Sequence, residues 1–474
     1  MRASERRRRR VVDQQHHITT DEPTPARSES AAKPQRMTRN LANGAHQTQG
    51  STLSKRPADF AGDIERARLL PRAAFTIWML TLTMLPIWIG IDFGATFPIQ
   101  CISAIMAIAA SVGGVRLAIT RFDAYLALFL AVSFCAVWLA DSSMALWLQF
   151  PIRWAIPYYA ARFLISATGV KFASNSIAMF FTVVAGLAVI ELLLTWHPFI
   201  GWANGSLEYQ TWYWIQDRGG RDRSEWAFGH SIALGASLAM AVPFMLGSTY
   251  RSPIKTLMII AVGAGTFASG SRAAMAAAAL TALASMLLKL RSPIERTAAL
   301  TALTFVGFVG IPILMPTFEA FALSTTEQQT SFAYRGILYS RYFSTIQWLG
   351  PSESRDSVRS TDSAILHLGL NFGWVALFIA IFPLIVIVAR VLLGHASAPE
   401  VAIFGQIPLF ATAALITQYQ IFVFFIAGIA VQSAVNGRST RMAYVRDQVR
   451  PSGQRQPSPR FRQSDASPDN EGVR

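Results

Sequence analysis

Residues 174–195 read SNSIAMFFTVVAGLAVIELLLT. A bilayer core about 30 Å thick needs about 20 apolar residues of helix to cross it, and this stretch meets both the length and the composition. Working outward, comparable runs occupy about 74–91, 95–113, 123–140, 144–166, 229–248, 255–270, 273–289, 297–315, 363–390, 401–417 and 420–436. Between them the basic residues fall on one side: Arg6 to Arg10, Arg116, Arg121, Lys171, Arg251, Lys255, Lys289, Arg291, Arg296, Arg390, Arg438 and Arg441. Lys and Arg mark cytoplasmic loops. The expected fold is therefore all-α: a polytopic integral membrane protein with about 12 transmembrane helices, both termini cytoplasmic and two long extracytoplasmic loops.

Composition agrees, since 52% hydrophobic and only 15% charged residues over 474 positions are unusual for a soluble enzyme of this size. Three regions follow: a basic, disordered cytoplasmic tail over 1–72, a membrane domain over 73–436, and a second disordered tail over 437–474. The charged start has no apolar core behind it and does not read as a cleavable signal. The net charge of +15 resides in the tails and inner loops, where it attracts anionic lipids; nucleic acid is not an expected partner. Cys101 and Cys135 lie inside apolar runs and read as packing residues.

Two outer loops are long, 196–228 and 316–362, and long loops in a compact fold are usually functional. The first holds Trp196, Trp202, Tyr209, Trp212, Tyr213 and Trp214, then the charged run from Asp217 to Glu225, which includes Arg221 and Arg223. A single ring at a membrane surface is an ordinary interfacial anchor. Six beside arginines favour a glycan or headgroup surface. Arg272 stands in the tight turn Ser269-Gly270-Ser271-Arg272, and Arg335 and Arg341 lie in the second loop. Any one of them could simply snorkel to water. As a set they suggest an anion site, because a guanidinium fork matches phosphate oxygens and keeps its charge. The run 144–166 contains Arg153, Pro151 and Pro157, so it is expected to be broken or amphipathic, with Arg153 a functional candidate that pairing or snorkelling would also explain. The small residues of 262–279 predict a tightly packed central hairpin that fixes Arg272.

Most catalytic templates are missing: no His-x-x-x-His, no nucleophile elbow, no phosphate-cradling loop and no outward carboxylate pair. Neither metal nor cofactor is expected. His230 opens one run and His367 enters another, positions more often structural than catalytic. Asp362 precedes the helix entry Ser363-Ala364-Ile365, where it can cap the helix, accept a proton, or both.

The segment Arg223-Ser224-Glu225-Trp226-Ala227-Phe228-Gly229-His230, the turn Ser269-Gly270-Ser271-Arg272-Ala273-Ala274, Arg335, Leu349-Gly350 and the spacing from Asp362 to Gly373 together resemble the O-antigen ligase and O-antigen polymerase superfamily of bacterial membrane proteins. The resemblance covers about residues 70–436 through short motifs. It implies transfer of glycans from a polyprenyl diphosphate carrier outside the membrane, in exopolysaccharide, capsule or O-antigen synthesis. Membrane lipids and other polysaccharide-export components would be its partners. Aspartate stands where the ligase motif has histidine, which favours a polymerase. The resemblance further implies Asp362, Arg335 and Arg272 as catalytic residues, with substrate bound by Arg223, Arg221, Arg153, Arg341, His230, Trp212 and Trp214. Two rivals stay open: a transporter or flippase of lipid-linked glycans, and a structural or regulatory membrane protein of cell-wall synthesis.

Overall fold

The computed structural model describes residues 57–449 apart from 93–95, 114, 116, 140–147, 149, 216–221, 289–293, 296–297, 299–324 and 354–362. Most of the run expected at 297–315, and the candidate site residues Asp362 and Arg221, lie outside the described residues. What is described is mostly helical. Among the described residues four helices are long and apolar enough to cross a membrane: Arg121–Leu139 (α3), Val170–Leu194 (α5), Ala364–Leu392 (α11) and the Thr417–Gly437 part of α14, which ends at Val449. Five shorter apolar segments join them: Leu69–Met84 within α1 (Pro57–Met84), Ile99–Val112 (α2), Ser231–Gly247 (α7), Ser252–Ala268 (α8) and Arg272–Leu287 (α9). Several helices turn large apolar side chains outward, among them Met106, Trp138, Leu257, Phe267 and Ile385, a surface that water would not favour.

Several expected boundaries are corrected. The run 74–91 stops as a helix at Met84, because Pro86 disfavours helical geometry in the residue before it. The chain then forms a small antiparallel hairpin, Gly90–Asp92 (β1) with Thr96–Pro98 (β2), in which Ile91 faces Phe97, a minor strand pair within an otherwise helical architecture. The run 401–417 is not one span. It divides into Ala398–Phe404 (α12) and Ile407–Thr412 (α13), with Pro408 unable to donate into a continuous ladder. Helix α14 continues past 436 into the tail, and α1 begins at Pro57, ahead of the expected boundary. The break expected near Pro151 is a π turn, Pro151–Ala155, which runs directly into Ile156–Thr168 (α4).

The central element is also not the 252–287 hairpin. In α8 few residues are buried, whereas α7 is enclosed at nearly every position from Ser231 to Met245. Its sequence SIALGASLAMA explains this, since Ala, Gly and Ser let neighbours close in on all sides. Helices α5, α8, α9, α12 and α14 all pack against it. Large rings fill the spaces between the outer helices: Trp78 of α1 stacks on Phe425 of α14 at 3.9 Å, and Phe181 of α5 on Phe422 at 4.6 Å. A second core joins α3, the π turn and α11 through Phe129, Trp154 and Phe372.

One end of this assembly gathers the termini of many helices. Trp226 Nε1 donates to Thr83 O near the end of α1 (3.1 Å), Ser224 N to Ala268 O at the end of α8 (3.2 Å), and Gln418 Nε2 to both Leu85 O (2.8 Å) and Ala227 O (2.5 Å). Helix α11 begins nearby in chain terms, where Ala364 N donates to Ala413 O at 2.9 Å. Inside α11 the helix breaks at Gly373, whose φ of 87° only glycine adopts readily. A β-carbon there would stand 2.8 Å from Gln347 O and Trp348 O, so the residue admits the 347–349 backbone, and Trp374 N donates to Gln347 O at 2.8 Å.

Candidate functional site

The site is organised by a carboxylate inside the apolar run 174–195 quoted above. Glu191, near the end of α5, is buried to 2% exposure and accepts from Ser224 Oγ, from Glu225 N (3.2 Å) and Trp226 N (2.7 Å), and pairs with His197 Nδ1 at 2.9 Å. A buried charge is costly unless bonded in this way. These bonds bend 222–228 back over the helix ends. The His197 pKa is raised above its ordinary value, first by the hydrogen bond to Glu191, then by the charges of Glu191, Asp222 and Glu225, with desolvation opposing.

Beside this hub lies a small cleft. Trp88, Phe199, Trp212, Tyr213 and Trp226 line it together with Glu191, His197, Glu225 and Gly229. Its roof is the short helix Leu207–Trp212 (α6), started by Ser206, which accepts from Tyr209 N at 3.1 Å. The Trp88 carbonyl accepts from Asn204 Nδ2, tying the roof to the turn after α1. Gly229 has a φ of 63°, and a β-carbon there would come within 2.9 Å of the Trp88 ring.

Of the expected residues, several converge here. Trp212 donates through Nε1 to Glu208 Oε2 at 3.1 Å, and the other Glu208 oxygen pairs with Arg153. Arg153 is buried to 7% exposure in the π turn, and its Nε has no partner among the described residues. His230 caps α7, accepting from Ile232 N at 3.1 Å, and meets the Trp212 ring edge-on at 5.8 Å. The Arg223 side chain lies across Gly270, 3.3 Å from where a β-carbon would be, beside the turn that starts α9 with Arg272. Ser271 caps that helix by accepting from Ala274 N at 3.3 Å.

Other residues lie outside the cleft lining. Trp214 is 67% exposed and packs on Tyr213 rather than into the cleft. Arg335 and Arg341 ride on Thr325–Tyr342 (α10), which docks on α11 through Leu338, Tyr342 and Ile346 against Leu366 and Leu370. Tyr339 anchors it by donating to Ala411 O at 2.9 Å. Arg335 Nε is enclosed without a partner among the described residues, and the Arg341 guanidinium lies 5.5 Å over the Tyr342 ring. His367 is a helix residue whose carbonyl accepts from Asn371 Nδ2 at 2.7 Å. Among the described residues no group of acidic, His or Cys side chains has the arrangement of a metal site.

Reading from sequence misses Glu191, His197, Glu208 and Trp88. A lone acid inside a predicted span was the available signal; the others become visible only through their contacts. The class that fold and site define is a mostly helical protein with long apolar helices and an aromatic, carboxylate-floored cleft at one end. Compared with known proteins, the chain matches no family model, no curated protein and no solved structure.

Proposed function

We propose that the protein is a multi-pass glycosyltransferase of the bacterial cytoplasmic membrane, similar to O-antigen polymerases, that joins polyprenyl-diphosphate-linked oligosaccharide units at the extracytoplasmic face. The observation that carries this reading is the meeting of an aromatic cleft with Arg153, and with Arg223 beside the Arg272 turn, at one end of a set of apolar helices. Rings offer flat faces for sugars, and guanidinium groups match diphosphate oxygens. The basic residues Lys171, Arg251, Lys255 and Arg390 belong to the opposite ends of the same helices, which supports an outward-facing cleft under the positive-inside rule.

In the proposed reaction the acceptor hydroxyl oxygen attacks the anomeric carbon. The bond from that carbon to the diphosphate oxygen breaks, the hydroxyl proton passes to a base, and the carrier leaves as free diphosphate. Arg223, Arg272 and Arg335 would stabilise charge on the leaving group. Asp362 would orient or deprotonate the acceptor. Purified protein in detergent, given lipid-linked repeat units without nucleotide, added metal or membrane gradient, should lengthen the glycan and release polyprenyl diphosphate. Arg272→Ala, Arg335→Ala and Asp362→Asn should stop this, and Arg218→Ala should not. A folded protein that moves such lipids across vesicles yet never lengthens them is a flippase instead. Reporter fusions at Gly205 should read extracytoplasmic and fusions at Ser252 cytoplasmic.

A further inference from the structure

Glu208 stands between two side chains of the site. Its Oε1 pairs with Arg153 Nη2 and its Oε2 accepts from Trp212 Nε1 at 3.1 Å, so one carboxylate ties the π turn to the last residue of α6. Both members of the ion pair are largely enclosed, and a guanidinium so placed is costly without an anion beside it. Yet the match is incomplete. Arg153 Nε is buried and has no partner among the described residues, the second Glu208 oxygen being given to Trp212. Arg390 shows the closed form of such a pair: its Nε donates to Glu400 Oε1 (2.5 Å) and its Nη2 to Glu400 Oε2 (3.4 Å).

The two ends of α6 are also held differently. At its start Asn204 accepts from Ser206 N (3.1 Å) and Ser206 Oγ (2.7 Å) and donates to Trp88 O, while Tyr209 OH donates to Ile200 O at 2.8 Å. At its end the Trp212 indole is held through Glu208 and an edge-on contact with His230.

We propose that Glu208 is a built-in counter-anion of Arg153 that a phosphate or diphosphate group displaces, releasing Trp212 and the end of α6 from the π turn. The role of that anion as the leaving diphosphate rests on the transferase reading above; the latch is added to it. A phosphate carries several oxygens on one centre, so it meets Nε and Nη2 side by side where Glu208 meets only one. The exchange is non-covalent: one charged contact breaks and two charged hydrogen bonds form. Glu208 is then a negative charge beside a bound anion, and repulsion moves it away together with the indole bonded to it. Trp212 lines the cleft, so arrival of the anion reshapes that surface. By linkage, whatever opens α6 favours the anion by the same factor.

The test is binding and hydrogen exchange on the full chain in neutral detergent, with inorganic pyrophosphate as the soluble probe and geranyl diphosphate as the lipid-borne one. In the unaltered protein a bound probe should speed exchange in the last turn of α6, where Tyr213 N donates to Tyr209 O at 2.9 Å. Tighter binding of geranyl diphosphate assigns the site to a lipid headgroup, and equal binding to a soluble anion. Glu208→Gln removes the competing charge and should tighten pyrophosphate by about fivefold or more, with exchange in that turn fast from the start. Arg153→Met should abolish the response of α6. The proposal is overturned if neither probe alters exchange in the unaltered protein, a measurement that needs no variant to fold, or if folded Glu208→Gln binds pyrophosphate no more tightly than the parent. Glycan elongation without this response removes the latch and spares the transferase. The response without elongation does the reverse.

Discussion

Arg153 and Arg162 are borne by one continuous stretch, are both buried, and are used in opposite ways. Arg162 is bonded at every nitrogen: Nε donates to Gln432 Oε1 (3.3 Å), one terminal nitrogen pairs with Asp123, and the other donates to Ala118 O (2.8 Å). Asp123 is equally engaged, accepting from Thr120 N (2.6 Å), Thr120 Oγ1 (2.8 Å) and Tyr158 OH (3.0 Å). Each guanidinium nitrogen of Arg162 thus has a partner within the protein. Arg153 has Glu208 as its charge partner, an Nε with no described partner, and a place in a π turn beside the aromatic cleft. Such turns are frequent at functional sites. The lesson is that burial and charge do not by themselves mark a binding arginine; an incomplete set of hydrogen bonds does.

The largest effect that can break this contrast is at Arg162. Arg162→Met leaves Asp123 as an uncompensated buried charge and should destabilise the protein by about 3–5 kcal/mol, read as a lower unfolding temperature in detergent. Adding Asp123→Asn should recover a large part of the loss. If Arg162→Met is neutral, the pair is not the clamp described here. Gly373→Ala should cost about 1–3 kcal/mol or more, because the new methyl group meets two backbone carbonyls in a conformation foreign to side chains.

Arg153→Ala should lower unfolding stability by less than Arg162→Met, yet reduce glycan elongation at least tenfold, with Arg153→Lys a poor rescue. Equal stability losses at both arginines, with elongation retained at Arg153, would erase the distinction.

The smallest effect is at His197. Its folded pKa is raised, so its contribution to stability is fully present below the unfolded value of about 6.5 and is lost as pH rises through the higher folded value. Unfolding temperatures measured from pH 5.5 to about 9 should fall on the alkaline side, and His197→Gln should flatten that limb.

Much of the helical plan is legible along the chain, because a run of apolar residues of bilayer length has few other uses. Arg153, Arg223 and Arg272 also stand out, as charges where charge is expensive. The interruptions are less legible. Pro86 ends α1 early and Pro408 divides α12 from α13, but both sit within runs whose hydropathy never falters. Nor does composition say which helix is central: the small residues of α7 and of the α8–α9 hairpin look alike in sequence, and only packing encloses the first and leaves much of α8 exposed.

What sequence alone determined here is the set of apolar segments and the inventory of charges between them, since both depend on local composition. Tertiary structure decided the partners. That Glu191 holds the 225–226 backbone, that Arg162 is closed by Asp123 from another helix, and that Trp88 shares a cleft with Trp212 and Trp226 are pairings between distant parts of the chain. The strength of a buried charge or an indole N–H depends on the atoms within hydrogen-bond reach, and only the fold sets those distances.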